Sequence, residues 1–373
     1  MLKPSEITEG LIKADPEDAQ LGFAKYLIVS FVTALVICIL VITVNVIVDP
    51  LWLFGHSSPL NVGQDGFDER QLKTNHLHFF GLDADTLLLG SSRMTIVDSQ
   101  MMKGRSFNYS VSNMLPHEYD AYTSFARSRQ RKDFQVIMIG LDFFGSSQER
   151  VDALRLEAPE AYINRSQEWN YRYRSLLSLD TLDYSIRNMK LSAQLALGGK
   201  PTRDYYLRNG RKVQRDPEKE RVNANIRKDL QVFDKMYGSD YRYNSRFREV
   251  LSVLRKNHPN TKFLVFTTPE YRPLFDLAMK NGRSADYSRW LTEIVEVFGG
   301  FYDFSGVNSV TSNSDNYVDA HHFRPHVARW IIDTISGEVN PEKPKDFGAY
   351  VTPETLSEHL APLKVQTRQL LGQ

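Results

Sequence analysis

Three short stretches carry side chains that together could perform acyl chemistry. Gly90-Ser91-Ser92-Arg93 closes an apolar run, Leu87-Leu88-Leu89, with two hydroxyls and a guanidinium. A second apolar run, residues 134–141, closes with Gly140-Leu141-Asp142. Far downstream, Asp319-x-x-His322 precedes Phe323-Arg324-Pro325. A serine hydroxyl is a weak nucleophile until a base takes its proton, and the base needs an acid to orient it. Asp319 and His322 supply both from one turn. A serine of Gly90-Ser91-Ser92, His322 and Asp319 are therefore the candidate nucleophile, base and orienting acid, in the chain order Ser…Asp…His.

The elements that must position these groups read as an α/β sheet. An uninterrupted apolar run bounded by turn residues is how a buried parallel strand reads, and in open α/β sheets ligands bind beyond the carboxyl ends of such strands. After the 87–89 run, a strand is expected at 105–111, a helix over 114–130 with Pro116 in its first turn, and a strand at 134–141. That spacing is βαβ and implies a parallel sheet. Strands follow at 262–267 and 300–304, with helices over 286–298 and 327–336; Pro325 starts the last helix and Gly337 stops it. Residues 146–254 lack clear β runs and read as a helical insertion over the carboxyl edge of the sheet. Within it, Tyr171, Tyr173, Tyr205 and Tyr206 beside arginines would suit stacking on a sugar, although packing is the commoner use of such rings. The charged stretch 208–228 reads as a solvated face or loop. Residues 338–373 read as a Pro-punctuated tail with one amphipathic helix over 354–371.

Composition narrows the function. Across 373 residues, 46 Lys and Arg balance 45 Asp and Glu, so no global field favours nucleic acid. The single cysteine, Cys38, allows neither an internal disulfide nor a cysteine zinc site. It lies in residues 26–48, which carry no formal charge and as a helix would extend roughly 35 Å, enough to cross a bilayer. A cleaved signal peptide fits less well, because the run is long and no small-x-small site precedes Asp49-Pro50. Lys3, Lys13 and Lys25 precede the run, and the next Lys or Arg is Arg70. The positive-inside rule then puts residues 1–25 in the cytoplasm and everything after the span outside. Residues 49–80 are expected to form a juxtamembrane linker, with Trp52 and Phe54 at the interface and a short helix over 68–80.

Gly90-Ser91-Ser92 after an early strand, and Asp319-x-x-His322-Phe323 before the last helix of the domain, resemble the first and last blocks of the SGNH (GDSL-like) hydrolase superfamily. The anchored layout, with Gly-Ser-Ser-Arg and Asp-x-x-His-Phe-Arg-Pro, is most similar to the extracytoplasmic branch associated with alginate and exopolysaccharide O-acetylation. The resemblance covers residues 84–145 and 260–337. It implies a three-layer α/β/α fold with a mainly parallel, flavodoxin-like sheet over 81–337, preceded by one transmembrane helix and carrying the helical insertion. It also implies Ser92 as nucleophile with His322 and Asp319, no cofactor, and a bacterial inner-membrane protein whose main domain is periplasmic or extracellular. The implied reaction is O-acetylation of a secreted or cell-surface polysaccharide, fed by a multi-span membrane acyltransferase, or ester hydrolysis. The alternative is a catalytically inactive glycan-binding or assembly subunit of a polysaccharide export complex that kept the fold.

Two blocks depart from the family pattern. Where the second block has a glycine, Phe107 to Asn113 has none, leaving Ser110, Ser112 or Asn113 to face the oxyanion. Where the third has Asn, Asp142 stands, and an ionised carboxylate accepts but cannot donate. Asn113, Asp142, Arg93 and Ser92 itself are the candidate oxyanion or substrate contacts. Arg93 has a structural alternative, pairing with Asp142 or Glu118, and Asp142 has one in bracing the Ser92 turn. His321, His322 and His326 raise a metal reading, which Pro325 disfavours by starting a new helix between them.

Overall fold

The computed structural model describes residues 16–154 and 157–372. Lys3 and Lys13, on which the orientation argument partly rests, lie outside the described residues. In chain order the strands are β1 (Gly63–Gln64), β2 (Thr86–Gly90), β3 (Ser106–Asn108), β4 (Val136–Leu141), β5 (Tyr205–Leu207), β6 (Lys212–Val213), β7 (Lys262–Thr267), β8 (Phe301–Asp303) and β9 (Ala349–Val351). One sheet has the order β3-β2-β4-β7-β8-β9; its pairings are parallel except that β9 joins β8 antiparallel. The chain is thus an α/β protein with a mostly parallel six-stranded sheet.

Alternation along the central strands explains why they read as unbroken apolar runs. Leu87 and Leu89, with Ile137, Ile139 and Leu141, enter one buried cluster. Leu88 and Met138 enter a second cluster with Phe266, Phe304 and Ile331. Both faces of β2 and β4 are covered, so no position can be polar until the strand ends.

Several expected boundaries change. The expected 105–111 strand pairs only over Ser106–Asn108, and Pro116 opens a short 3-10 turn ahead of the helix Tyr119–Gln130. The insertion is not purely helical: β5 and β6 form a hairpin that pairs with β1, about 140 residues earlier in the chain. The Asn209-Gly210 pair at its tip, with Gly210 at φ 82°, is a strong hairpin signal. The C-terminal segment is not a loose tail either. It supplies β9, and its helix Leu356–Leu371 packs beside the helices Arg272–Lys280 and Ser284–Phe298.

The stretch 49–80 is packed structure rather than a linker. Leu51, Trp52 and Leu53 are buried, and the helix Glu69–Phe80 buries most of its length. Asp49 organises the entry: its carboxylate accepts from the backbone of Leu53 (2.6 Å), Phe54 (3.1 Å) and Gly55 (3.0 Å) and pairs with Arg208 at 2.6 Å. Upstream, the helix Pro16–Val48 is long and apolar enough over Gln20–Val48 to cross a membrane. Its side chains are exposed from residue 20 to residue 40, and from Val41 onward one face packs on the helix Leu179–Ala196.

Candidate active site

The Ser92 turn is built on two glycines. Gly90 ends β2 at φ 149°, and a Cβ there would lie 2.4 Å from Met94 Cγ and 2.8 Å from the Gly140 carbonyl oxygen. Gly140 is its register partner on β4, and a Cβ on it would meet Met94 Cγ and Sδ at 2.5 Å. The Met94 side chain therefore fills the space between two strand ends that must lack side chains. This lets the chain turn sharply at Ser91, whose carbonyl accepts from Met94 at 2.9 Å and Thr95 at 3.3 Å. Thr95 Oγ1 donates to the Ser92 carbonyl at 2.6 Å, fixing the residue from behind.

The second half comes from the loop 317–323. Tyr317 bridges Phe323, and Val318 N–H donates to the His322 carbonyl at 3.0 Å. Pro325 then opens the helix Pro325–Ser336. Asp319 Oδ1 accepts from the backbone N–H of His321 (3.0 Å) and His322 (2.7 Å), which turns its Oδ2 toward the imidazole. His322 Nδ1 lies 2.8 Å from Asp319 Oδ2, and His322 Nε2 lies 2.8 Å from Ser92 Oγ. With the carboxylate fixing the proton on Nδ1, Nε2 is left to accept from the serine hydroxyl. The structure thus brings together Ser92, His322 and Asp319, separated by more than two hundred residues, in one hydrogen-bonded line at the carboxyl edge of the sheet. The imidazole is 24% exposed and the Asp319 side chain 6%, so the base is reachable while its acid is covered.

Electrostatics suit a neutral base. Burial, helped by neighbouring His321, lowers the pKa of His322 despite the opposing pull of Asp319. Burial would raise Asp319, but His322, His321 and the bonds to them hold its carboxyl well below the usual range. Asp319 stays ionised and His322 stays unprotonated near neutrality, the combination a general base requires.

Arg93 and Asp142 do not face the serine hydroxyl as free donors. Arg93 is 1% exposed, pairs with Asp142 at 3.0 Å and Glu270 at 3.2 Å, donates to Thr268 at 3.1 Å, and lies over the Phe144 ring. Thr268 also donates to Asp142. Asp142 is thus an acceptor for a buried guanidinium, which explains a carboxylate at this strand end. Glu118 is taken by Arg70 at 2.9 Å.

In the 110–113 loop, Ser110 N–H donates to Asn108 at 2.9 Å and Ser112 N–H to Glu69 at 2.5 Å, so neither N–H is spare. Asn113 differs. It adopts φ 55°, and its Oδ1 accepts from Arg150 at 2.5 Å. Among the described residues, neither the backbone N–H of Ser92 and Asn113 nor the Asn113 side-chain amide donates to an acceptor. Val111, two residues before Asn113, donates to the Gly90 carbonyl at 3.2 Å, so the loop is tied to the Ser92 turn.

The charges that hold this loop are not legible from residue pattern alone. Glu69, Arg70 and Lys73 look like the solvated face of a short helix, yet all are buried. Arg70 donates to the Ser112 and Asn113 carbonyls at 2.9 and 3.2 Å, and Lys73 to that of Ser110 at 2.6 Å. Lys212 of β6 reaches Glu69 at 3.3 Å and Thr95 Oγ1 at 3.1 Å, connecting the hairpin to the serine turn. Burial, only partly opposed by Glu69, pulls Lys73 down to about 7. Burial would raise Glu69, but Lys212 and Lys73 bring it down to about 2. The hairpin's continuation also braces the histidine loop: Gln214 donates to the Phe323 carbonyl at 3.0 Å, and Arg215 stands 3.6 Å from Asp319.

The tyrosines separate. Tyr171 and Tyr206 are buried, the latter donating to Glu69 at 2.6 Å, so they are packing residues and not sugar platforms. Tyr173 is exposed. His326 turns away to Asn316 at 3.0 Å and Trp330, apart from His322. Ligand-type atoms of Asp319, His321 and His322 do lie within 4.8 Å of one another, but the two that would bind most readily are already bonded to each other. A cleft of about 630 Å³ lined by Arg255, His258, Lys262 and Glu296 sits at the amino end of β7, at the opposite edge of the sheet from Ser92. The sequence matches no protein-family model, and no curated protein matches it.

Proposed function

We propose that the chain is a membrane-anchored serine acyltransferase or esterase of the SGNH kind. The observation that carries this reading is the Ser92–His322–Asp319 line, with both hydrogen bonds at 2.8 Å. The parallel strands, renumbered among themselves, run 2-1-3-4-5, the flavodoxin-like doubly wound order. Ser92 follows β2 at the switch point of that order, where such sheets bind ligands. Separate cores on the two faces of the sheet support a three-layer α/β/α arrangement.

In the proposed reaction Ser92 Oγ attacks an acyl carbonyl carbon while its proton passes to His322 Nε2. Negative charge on the carbonyl oxygen is met by the spare N–H groups of Ser92 and Asn113 and by the Asn113 amide, which Arg150 holds by its oxygen. Collapse expels the donor's alcohol or thiol, which leaves with the proton from His322. A hydroxyl then attacks the Ser92 ester, with His322 again taking and returning the proton: a sugar hydroxyl gives transfer, water gives hydrolysis. Asp319 stays ionised throughout. The resemblance favours an extracytoplasmic polysaccharide as acceptor and a multi-span membrane acyltransferase as donor, with the N-terminus in the cytoplasm.

The test is turnover of a chromogenic acetyl ester by the full chain in detergent, with and without an oligosaccharide acceptor. Ester cleavage lost in both Ser92→Ala and His322→Ala is expected. Cleavage that survives Ser92→Ala would remove Ser92 as nucleophile.

A further inference from the structure

Asn45 is an unusual residue for an apolar helix, and it is 1% exposed. Its amide nitrogen donates to the Leu176 carbonyl at 2.9 Å and the Ser178 carbonyl at 3.4 Å, and its oxygen accepts from Ser185 at 2.8 Å. The helix is therefore pinned at this residue to the insertion. That pin fixes a depth. Lys25 is the last charge before the apolar run and Asp49 the next. A hydrocarbon core of about 30 Å takes roughly 20 helical residues at about 1.5 Å each. Counted from Tyr26, that length ends at Asn45. The backbone of residues 176–178, bonded to Asn45, then stands where hydrocarbon gives way to headgroups.

The side chains around that backbone match the level. Leu177 is 53% exposed and Leu179 72%, and the same corner presents Tyr173 at 66% and Trp169 at 86%. Aliphatic tips with Trp and Tyr beside them are the composition of a bilayer interface. Two neighbouring arginines are paired locally, Arg174 with Glu168 at 2.7 Å and Arg187 with Asp183 at 2.6 Å, and the exposed Asp180 beside Leu179 is acidic, so apolar burial rather than attraction to anionic lipid would drive contact.

We propose that the 169–179 corner of the insertion is seated in the outer interfacial layer of the same bilayer that the N-terminal helix crosses, with Leu177 and Leu179 dipping toward the acyl chains. This rests on the membrane-anchor reading of the helix. It makes the anchor and the domain one body, and holds the Ser92 site at a fixed orientation to the membrane. The occupant is the lipid surface. Continuity with the spanning helix is what selects it, because a protein partner on this corner would have to share the level with headgroups.

The test uses the full chain with Cys38→Ser, so that only an introduced cysteine carries a nitroxide, in phosphatidylcholine proteoliposomes. Collision with oxygen and with a water-soluble nickel chelate is measured at Leu35→Cys, Leu177→Cys, Leu179→Cys and Val339→Cys, the last being 97% exposed on the domain. Oxygen should dominate at Leu35. At Leu177 and Leu179 nickel collision should fall several-fold below that at Val339. Leu177 and Leu179 matching Val339 while Leu35 stays oxygen-dominated would overturn the proposal alone. Nickel collision at Leu35 equal to that at Val339 would overturn the anchor reading and this proposal with it.

Discussion

Arg93 and Asp142 face each other at 3.0 Å beneath the serine turn, both nearly sealed from solvent. Read in sequence, Asp142 looks hostile to an oxyanion. Paired with Arg93 and bonded by Thr268, it holds a cation and leaves the oxyanion to other donors. Asp142→Asn should therefore fail to raise activity. It should destabilise the fold by about 3 kcal/mol, the scale on which one-sided loss of a buried ion pair registers. Chemical denaturation beside ester turnover checks both halves; higher turnover at unchanged stability would put Asp142 back at the oxyanion.

Asn113 is the sharper probe of that oxyanion. Asn113→Asp keeps an acceptor for Arg150 and removes the amide donor, so kcat should fall by roughly 10²-fold, as for loss of one oxyanion donor. KM should change little, and Arg150→Lys should give a smaller loss by loosening the same amide. Equal kcat in Asn113→Asp and wild type would take the Asn113 side-chain amide out of the reaction.

The pH profile follows from His322. Its pKa is shifted below the ordinary 6.5, chiefly by burial, and only the neutral imidazole can take the serine proton. The acid limb of kcat/KM should therefore lie below pH 6.5, with activity rising through it and flat above. Asp319→Asn removes the partner that favours the charged imidazole and should move the limb further down while cutting the rate. A limb above 6.5 would mean that another group governs it.

Much of this site was legible because its chemistry restricts residue type and place: a serine after a glycine at a strand end, and a carboxylate three residues before a histidine. The pairing of Arg93 was visible only as one of two options, since a guanidinium beside a serine serves either purpose until burial is known. Glu69, Arg70 and Lys73 could not be read as buried, because charge on a short helix ordinarily marks solvent, and their partners come from residues 110–118, 206 and 212. β5, β6 and β9 are two or three residues long, too short for alternation to register, and β5 and β9 depend on distant strands for their pairing.

The C-terminal helix offers a pH test of stability independent of the chemistry. His359 Nε2 lies 2.6 Å from Asp303 Oδ2 on β8. The bond to Asp303 raises His359 above 6.5; burial would raise Asp303, but His359 together with the Ser305 and Thr267 hydroxyls outweighs it and the carboxyl falls below 3.8. His359 thus contributes fully below pH 6.5 and loses that contribution as pH rises through its raised value. Asp303 contributes above 3.8 and loses it as pH falls through its lowered value. Docking of Leu356–Leu371 should be firmest between about pH 4 and 6.5. Hydrogen exchange over that helix should be slower at about pH 5.5 than at about pH 9 after correction for intrinsic rates, and Asp303→Asn should flatten the difference.

Gly90 tests the geometry of the turn. Gly90→Ala places a Cβ against Met94 and the Gly140 carbonyl at a φ that L residues avoid. The expected cost is on the order of 1–3 kcal/mol, with ester turnover lost even where the protein remains folded. Wild-type turnover in Gly90→Ala would show that the serine turn tolerates a different path.

The most direct measurement is covalent capture of the nucleophile. The full chain is treated with a fluorophosphonate, which esterifies an activated serine, and the adduct is located by mass spectrometry. One adduct per chain on Ser92 is predicted, absent from His322→Ala and Ser92→Ala, and absent or much slower in Asp319→Ala. Labelling at another serine, or labelling of Ser92 that is equally fast without His322, would contradict the account.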